Sequence, residues 1–317
     1  MVDATPAVLV LAHADPEQTR RLIEALAPLP VVLHCDAKTD PATYRAMTDG
    51  LDPSRVLLAP RHDTRLASWS LVHAELDGLR LALDRTDADH VVVISGADYP
   101  IVDPATLPAL LGQLGERSWM WNVELPYPLW NVPGFPDGGL WRLRHRFLTA
   151  GDQIRWFAGK PVFLPWRRRL PDELEPRASM HWKVLSRRDG RRLLDLLDER
   201  PDLVRFGRSC FTPEESFLAS LLASRSLWGE QALPVLRFSP AMANWPGHTT
   251  QHPDWYTPQD LTDLTQDIAR IEHDWQQAAA ADPAVAALPN YGRPLFARKF
   301  SSRSGADFYA TLRTALW

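Results

Sequence analysis

The sequence His90–Ile101, HVVVISGADYPI, decides the fold class of this chain of 317 residues. Its three valines and isoleucine form an unbroken apolar run, which is typical of a strand covered on both faces in a parallel α/β sheet. Gly96 permits a tight turn after this run, and Asp98 follows just past the carboxyl end of the strand. Because open α/β sheets bind ligands at that edge, Asp98 is a candidate ligand-site residue. A lone aspartate after a strand is also a common turn former, so other residues must support this interpretation.

Strand and helix patterns alternate over about the first 110 residues, which predicts a mostly parallel, doubly wound sheet flanked by helices. Asp15, followed by Pro16, is typical of a helix N-cap, and Ser70 is predicted to cap a further helix. The earlier strands of the sheet are predicted at Ala7–His13, Pro30–Cys35 and Val56–Leu58.

Residues 119–182 contain seven of the thirteen tryptophans and are punctuated by prolines and glycines. This stretch is predicted to form loops and short strands. Tryptophan-rich loops beside a sheet edge suit stacking on sugar rings, so we expect the region to form the acceptor side of a site. For any single tryptophan, a role in the core is the favoured interpretation. Beyond this stretch the sequence predicts helices at Arg187–Leu197 and Thr212–Ala223, a late strand at Val235–Phe238 and a long helix capped by Thr257.

The composition is that of a globular protein, with 45% hydrophobic residues, 23% charged residues and a formal net charge of −4. This balance gives no general attraction to nucleic acid or to an anionic membrane surface. Cys35 and Cys210 are too few for a disulfide framework and are expected to be reduced thiols. The N-terminus lacks the basic region of a signal peptide, and no apolar run approaches about 20 residues. We therefore expect a cytoplasmic protein without a transmembrane anchor.

Several functional motifs are missing from the sequence. The turn after the first strand, Ala12–Asp15, reads AHAD and lacks the glycine pattern of dinucleotide-binding folds. P-loop, HExxH and CxxC motifs are missing too, which disfavours ATPase, metalloprotease and structural zinc functions. The string Asp87–Asp89 resembles a cation-binding DxD, but it precedes the strand and is predicted to be a loop. At the ligand edge Asp98 supplies one carboxylate, whereas Mg²⁺ generally requires more oxygen ligands.

Polar residues follow three of the predicted strands at what should be one edge of the sheet. They are His13, Asp36 with Lys38, and Asp98. Carboxylates and a basic group that converge on such an edge indicate a nucleotide site, in which Asp36 is placed to contact ribose or base. Arg298 and Lys299 are a candidate source of positive charge for a diphosphate. By itself an adjacent Arg-Lys pair is usually surface charge.

The sequence Thr212–Phe217, TPEESF, permits two interpretations. Thr212 and Glu215 match a capping box with Pro213 at the first helical position, and this structural role alone explains the sequence. Alternatively, the helix start presents Glu215 to a cleft as a general base. Glu214 projects about 100° away around the helix, so only one of the two glutamates should face a given site.

Six short segments together resemble the core-2/I-branching β-1,6-N-acetylglucosaminyltransferase and peptide O-xylosyltransferase family, glycosyltransferase family 14. Each segment is weak alone, but six in the family's order form a specific signal that extends from residue 11 to residue 300. The segments are Leu11–Asp15 (LAHAD), Leu33–Lys38 (LHCDAK), Ser95–Ile101 (SGADYPI), Ser179–Arg187 (SMHWKVLSR), Pro213–Phe217 (PEESF) and Phe296–Phe300 (FARKF).

The resemblance implies a Rossmann-like fold of the GT-A type and inverting transfer of a sugar from a UDP-sugar without a metal. It implies that Arg298 and Lys299 hold the diphosphate and that Glu215 is the catalytic base, which deprotonates the acceptor hydroxyl in a single displacement. The resemblance thus predicts no metal ligands and no cofactor. The UDP-sugar is a co-substrate. The donor-binding residues are predicted to be His13, Asp36, Lys38, Ser70, Asp98, Arg298 and Lys299.

The sequence leaves the identity of the sugar and the acceptor open. His181 occupies a position where xylosyltransferases carry an acid, and His181, Trp182 and Glu214 are candidate contacts to the acceptor or the donor sugar. We expect GlcNAc, xylose or a related sugar to be moved to a hydroxyl of a glycan or small molecule. The chain resembles a bacterial member of the family. It is predicted to form one domain, 1–317, with a nucleotide-binding half, 1–115, and an acceptor-binding and catalytic half, 116–317.

Two alternative functions are weighed against this one. A catalytically silent sugar- or nucleotide-binding protein of the same fold would not need a base, so the presence of Glu215 together with Arg298 and Lys299 argues against it. A metal-dependent nucleotidyltransferase would need an acidic pair at the strand edge, where only Asp98 stands.

Overall fold

A computed structural model describes residues 3–245, 252–286, 288 and 291–317. Its strands are β1 Pro6–Ala12, β2 Val31–Cys35, β3 Val56–Leu58, β4 His90–Ser95, β5 Asp98–Pro100, β6 Asn122–Glu124, β7 His145–Phe147, β8 Thr149–Ala150, β9 Gln153–Ile154, β10 Trp156–Phe157, β11 Lys160–Pro161, β12 Phe163–Arg167, β13 Arg177–Ser179, β14 Lys183–Ser186, β15 Ala241–Ala243 and β16 Phe296–Arg298.

The α-helices are α1 Pro16–Ala25, α2 Pro41–Thr48, α3 Trp69–Arg85, α4 Leu107–Gly112, α5 Trp141–Arg144, α6 Arg187–Glu199, α7 Pro201–Gly207, α8 Pro213–Ala223, α9 Arg225–Trp228, α10 Leu261–Ala281, α11 Pro283–Ala286 and α12 Gly305–Leu316. Short 3₁₀ helices span Pro104–Thr106, Pro128–Trp130, Gly229–Gln231, Pro258–Asp260 and Ser302–Ser304. Within the described residues, no helix is both long enough and apolar enough to cross a membrane.

The central sheet has five strands in the order β14, β4, β1, β2, β3. β1 pairs in parallel with β2 and with β4, and β2 pairs in parallel with β3. Only the edge strand β14 runs antiparallel to its neighbour. Helices α1, α2 and α3 form the crossover connections that parallel pairing requires. The predicted fold class, a mostly parallel α/β sheet flanked by helices, is confirmed.

Helices cover both faces of this sheet, as the unbroken apolar runs predicted. In β1, Leu9 packs into a core with residues of α3, α6 and α8, while Val8 packs into a second core with residues of α1 and α4. In β4, Val93 and Val92 divide between the same two cores. Because successive side chains of a strand point to opposite faces, a sheet with helices on both sides buries every residue of its central strands.

The turn after β4 requires glycine because of close packing and not because of an unusual backbone angle. A Cβ at Gly96 would lie 2.8 Å from Oγ1 of Thr19 on α1 and 3.0 Å from Cβ of Ala12. The chain then enters β5, which forms a second sheet with β16 and β15. β5 and β16 are antiparallel, and their register places Asp98 directly opposite Arg298. The fold thereby joins the end of β4 to a strand near the C-terminus.

The predicted cap of α3 is wrong by two residues. The helix begins at Trp69, so Ser68 occupies the N-cap position and Ser70 lies in the first turn. The hydroxyl of Ser70 instead accepts the backbone N–H of Arg65 at 2.9 Å. Ser68 does not cap the helix with its side chain either, because its hydroxyl accepts the backbone N–H of Ile154 at 3.0 Å.

The predicted strand at Val235–Phe238 is also wrong. Within it, Leu236 forms only an isolated bridge to Asn122. Pro234 and Pro240 bracket the segment, and proline cannot donate to a strand ladder. The strand forms slightly later as β15, which pairs in parallel with β16.

The caps at Asp15 and Thr257 and the loops and short strands of residues 119–182 agree with the sequence. Asp15 accepts the backbone N–H of Gln18 at 3.1 Å and caps α1. Thr257 and Asp260 form a capping box just before α10. Residues 119–182 form loops and short strands, among them β6 to β13. Both cysteines are free and buried.

Candidate active site

Asp98 lies at the centre of a buried polar network at the carboxyl edge of the central sheet. Its Oδ2 accepts the backbone N–H of Ser95 at 2.7 Å and the indole N–H of Trp182 at 2.8 Å. Its Oδ1 lies 3.4 Å from a guanidinium nitrogen of Arg298, which also donates to the hydroxyl of Ser95. Burial raises the pKa of Asp98, and the positive charge of Arg298 opposes that rise. Asp98 therefore holds Arg298 and Trp182 in place, and protein groups occupy both of its oxygens.

Trp182 connects this network to a cleft with a volume of about 280 Å³. The guanidinium carbon of Arg298 lies 5.1 Å from the centre of the Trp182 ring. Trp121 and Trp245 also line the cleft, together with the charged residues Arg237 and Asp274 and several apolar residues. Three indole rings with a few polar groups among them suit the binding of a sugar ring.

The other tryptophans of residues 119–182 divide between the core and the surface. Trp119 and Trp141 are buried in the hydrophobic cores. Trp156 and Trp166 are exposed. The region therefore contributes Trp121 and Trp182 to the cleft and Trp119 and Trp141 to packing, whereas the exposed Trp156 and Trp166 do not have the core role favoured for single tryptophans.

Lys299 follows Arg298 at the end of β16 and adds a second cation. Its ammonium lies 4.7 Å from the centre of the Trp255 ring, in a cation–π contact. Burial lowers the pKa of Lys299, and the neighbouring charge of Arg298 lowers it further. A bound anion would relieve the repulsion between the two cations, so this pair is suited to hold a phosphate group.

The loop after β2 engages its own charged residues. Buried Asp36 accepts the backbone N–H of Lys38 at 2.7 Å and that of Thr64 at 3.1 Å. The ammonium of Lys38 lies 2.8 Å from Asp63 and 3.4 Å from Asp36. Although burial raises the pKa of Asp36, the hydrogen bonds from Thr64 and Lys38 hold it below its usual value. At this edge Lys38 and His13 are exposed, whereas Asp36 is buried within its loop.

The start of α8 does not form the predicted capping box. Thr212 has a positive φ of 46°, and its hydroxyl donates to the carbonyl of Phe211 at 2.8 Å. The backbone N–H of Glu215 donates to the Thr212 carbonyl at 3.0 Å and not to its side chain. Both side chains turn to Arg142, whose guanidinium nitrogen lies 2.6 Å from the Thr212 hydroxyl and 3.0 Å from Oε2 of Glu215. Glu215 is thus free of the capping role.

Arg142 holds the Glu215 carboxylate from outside α8. It lies on α5, and the ring of Trp130 covers its guanidinium at a distance of 4.0 Å. The Glu215 side chain is 37% exposed, and within the described part of the chain no hydrogen bond reaches its Oε1. A carboxylate with one oxygen fixed and the other open to solvent is placed to accept a proton.

Glu214, the residue before Glu215 at the start of α8, is buried. Only 2% of the residue is exposed, and its Oε2 has no hydrogen-bond partner among the described residues. Burial, and then the negative charge of Glu215, raises the pKa of Glu214 to about 8. The raised pKa favours the neutral form of Glu214, which makes Glu215 the better candidate for the base of the two.

A buried ion pair near this helix escaped the sequence interpretation. Lys183 on β14 and Glu75 on α3 are both buried, with the ammonium 2.8 and 3.1 Å from the two carboxylate oxygens. His181 Nε2 lies 3.2 Å from Glu75. Although burial alone raises the pKa of Glu75, the charge of Lys183 and the contact with His181 keep it lowered. A lysine within an apolar strand is the signal that was available, because a buried cation needs an anion nearby.

Residues 181–183 connect the buried ion pair to the network around Asp98. His181 and Lys183 contact Glu75, and Trp182 between them contacts Asp98 and the cleft. The charge of Lys183 also lowers the pKa of Glu214 on α8, so the ion pair lies within electrostatic range of that helix start. Ser70 makes none of these contacts. It is buried, and its hydroxyl is occupied by the backbone N–H of Arg65 in the loop before α3.

The sequence matches the family model described as Core-2/I-Branching enzyme over residues 30–271, more than half of the chain. This match, on an α/β fold with an aromatic cleft, defines the protein as a glycosyltransferase, an enzyme that takes a sugar donor and an acceptor. The chain belongs to the Core-2/I-Branching enzyme family, as its six sequence segments predicted.

Solved structures show distant similarity, and no curated protein sequence matches the chain. The mannose-1-phosphate geranyltransferase from Thermus thermophilus is 14% identical, with 73% of this chain and 69% of that chain covered and a TM-score of 0.30. HddC from Yersinia pseudotuberculosis, complexed with GMP-PN, is 13% identical over 60% of this chain and 78% of its own, with a TM-score of 0.28. The bifunctional IspDF from Campylobacter jejuni is 11% identical over 61% of this chain, with a TM-score of 0.27, and the chain spans 43% of its length. Similarity at this level carries no information about the chemistry of the site.

Proposed function

We propose that this glycosyltransferase moves a sugar, GlcNAc, xylose or a related one, from a UDP-sugar to a hydroxyl of a glycan or small-molecule acceptor. The reaction inverts the anomeric carbon and uses no metal. The observation that carries the proposal is the state of Glu215. This carboxylate stands at a helix start without a capping role, with one oxygen held by Arg142 and the other open to solvent.

In the proposed reaction Glu215 accepts the proton of the acceptor hydroxyl while the hydroxyl oxygen attacks the anomeric carbon of the donor. The bond from that carbon to the UDP oxygen breaks on the opposite face, so the configuration inverts and UDP leaves with the electron pair. A single displacement of this kind requires one base and no second carboxylate. Burial raises the pKa of Glu214 and so favours its neutral form, which limits the negative charge beside Glu215.

The leaving diphosphate requires positive charge, and Arg298 and Lys299 are proposed to supply it. Arg298 is held by Asp98 before any donor arrives, and a preorganised cation stabilises developing charge without reorganisation. The oxygens of Asp98 are already engaged by Ser95, Trp182 and Arg298, which leaves this carboxylate little capacity to coordinate a cation. Both observations support transfer without a metal.

The base assignment is tested by Glu215→Gln, which preserves size and hydrogen bonding but cannot accept the proton. Transfer is expected to fall by about 10²–10⁴-fold, the usual contribution of general base catalysis, while UDP affinity measured by calorimetry stays close to that of the wild type. Glu230→Gln, an exposed glutamate in a 3₁₀ helix, is the matched control and should retain turnover. Full turnover by Glu215→Gln would overturn the assignment.

Donor, stereochemistry and metal independence are tested together with a panel of UDP-sugars. We expect one or more to be consumed in the presence of excess EDTA, with an inverted anomeric configuration in the product by NMR. Strict dependence on Mn²⁺ or Mg²⁺ would overturn the metal-free mechanism. Binding of UDP without turnover of any donor would instead favour a catalytically silent binding protein.

A further inference from the structure

A cluster of histidine and aspartate side chains lies where the loop after β3 meets α3. His73 and Asp77 are four residues apart on one face of α3, and His62 approaches them from the loop. One ligand atom from each of the three lies within 4.8 Å of the others. His62 Nε2 is 2.8 Å from Oδ2 of Asp77, and the rings of His62 and His73 stack with their centres 4.6 Å apart.

Two further residues fix the orientation of this cluster. Asp152, between β8 and β9, accepts the Nδ1–H of His73 at 3.0 Å. Because a carboxylate only accepts, Nδ1 carries a proton, and in the neutral imidazole Nε2 of His73 then has the lone pair that binds a metal. Buried His34 accepts the backbone N–H of His62 at 3.1 Å and thereby fixes the loop. A carboxylate that binds the second nitrogen of a histidine is the usual support of a metal ligand.

We propose that His62, His73 and Asp77 form a binding site for Zn²⁺ that holds the loop after β3 against α3. Two imidazole nitrogens and a carboxylate oxygen are ligands typical of zinc, whereas Mg²⁺ and Ca²⁺ prefer oxygen ligands alone. Tetrahedral zinc with bonds of about 2.0–2.1 Å places its ligand atoms roughly 3.3 Å apart, so small side-chain rotations complete the site. The cation takes the place of the proton shared by His62 and Asp77, that proton goes to solvent, and a water fills the fourth position.

The proposed site connects α3 to the loop after β3, which contacts Asp36. Thr64 of this loop donates to Asp36, and Asp63 pairs with Lys38, so zinc would stabilise the surroundings of both residues. None of the three proposed ligands contacts Asp98, Arg298 or Glu215 in any described interaction. The zinc is therefore placed to stabilise this loop and not to contact the reacting groups, and the inference does not depend on the proposed transfer reaction.

The experiment titrates Zn²⁺ into tag-free, full-length protein that has been freed of metal with EDTA and then of EDTA by dialysis. Calorimetry is expected to show one zinc per chain, and Tm should rise with zinc concentration because the ion binds the folded state. His73→Ala and Asp77→Asn should both abolish the shift in Tm. Asp152→Asn, which replaces the carboxylate that contacts both His73 and Arg208, should weaken zinc binding about 10–100-fold.

His273→Ala is the matched control, because it removes an exposed histidine on α10 and should bind zinc as the wild type does. Asp77→Asn keeps the size of the side chain, so it remains informative if His73→Ala does not fold. Co²⁺ bound to the wild-type chain should give the visible absorption of a tetrahedral complex. The inference is overturned if the wild type binds no zinc, or if His73→Ala and Asp77→Asn bind it as tightly as His273→Ala.

Discussion

A guanidinium nitrogen of Arg142 lies 3.0 Å from Oε2 of Glu215 and fixes that carboxylate at the start of α8. The same nitrogen binds the hydroxyl of Thr212, the residue that the sequence assigns to capping. At the start of α8, Glu215 therefore contacts Arg142, 73 positions away in the sequence, and does not form a local cap. In the proposed reaction this contact determines where the base stands.

Arg142→Ala is expected to lower kcat by up to about 100-fold, with little change in the KM for the donor. Removal of the guanidinium lets the Glu215 carboxylate move, and a small misplacement of a catalytic group can lower the rate by about 100-fold. Steady-state kinetics separate kcat from KM. Arg144→Ala, on the same helix α5, is the control and should retain kcat. An unchanged kcat in Arg142→Ala would show that Arg142 does not position the base.

Arg298→Ala and Lys299→Ala are each expected to weaken UDP binding about 10-fold or more, because each removes a charge-assisted hydrogen bond to the diphosphate. They should differ in stability. Arg298→Ala leaves Asp98 buried without its cation and should cost about 1–3 kcal/mol in the free energy of unfolding, whereas Lys299→Ala should cost far less. Calorimetry with UDP and urea unfolding measure the two effects. Equal UDP affinity in both variants and the wild type would contradict the assignment.

Glu214→Gln is expected to stabilise the protein increasingly as pH rises. The pKa of Glu214 is about 8 in the folded protein against an ordinary value of 4.5, so between these pH values only the unfolded chain releases the proton. Wild-type stability therefore falls as pH rises from about 4.5 to about 8, by an amount on the order of a few kcal/mol, and glutamine removes this loss.

The measurement for Glu214 is urea unfolding of wild type and variant at several pH values. The two proteins should differ least near pH 4.5 and most near pH 8. Glu230→Gln should show no such trend, since that side chain is exposed. A difference between Glu214→Gln and wild type that is independent of pH would contradict the raised pKa.

Lys183→Met is expected to destabilise the protein by about 3–5 kcal/mol, because it leaves the carboxylate of Glu75 buried without a cation. Replacing both partners, as Lys183→Met with Glu75→Leu, should restore much of the loss, since the buried charge is then gone. Urea unfolding of the two single variants and the double variant measures the coupling. If the double variant were no more stable than Lys183→Met, the ion pair would not account for the loss.

Local sequence patterns determined much of the fold. The apolar runs of β1, β2 and β4 predicted a parallel sheet with both faces covered, because such runs cannot face water on either side. The Asp15-Pro16 cap fixed the start of α1. The carboxyl ends of parallel strands meet at one edge, so the sequence also placed His13, Asp36 and Asp98 at the same edge.

Only the tertiary structure decided which partners these residues have. Arg298 is paired with Asp98 across 200 residues of sequence, and Lys183 with Glu75 across 108. The sequence left two roles open for Glu215, a capping box with Thr212 or a general base, and in the folded chain both side chains contact Arg142 of another helix. A helix or strand forms from the periodicity of neighbouring residues, whereas a buried charge pairs with whichever opposite charge the folded chain brings to it, because burial without a partner costs too much free energy.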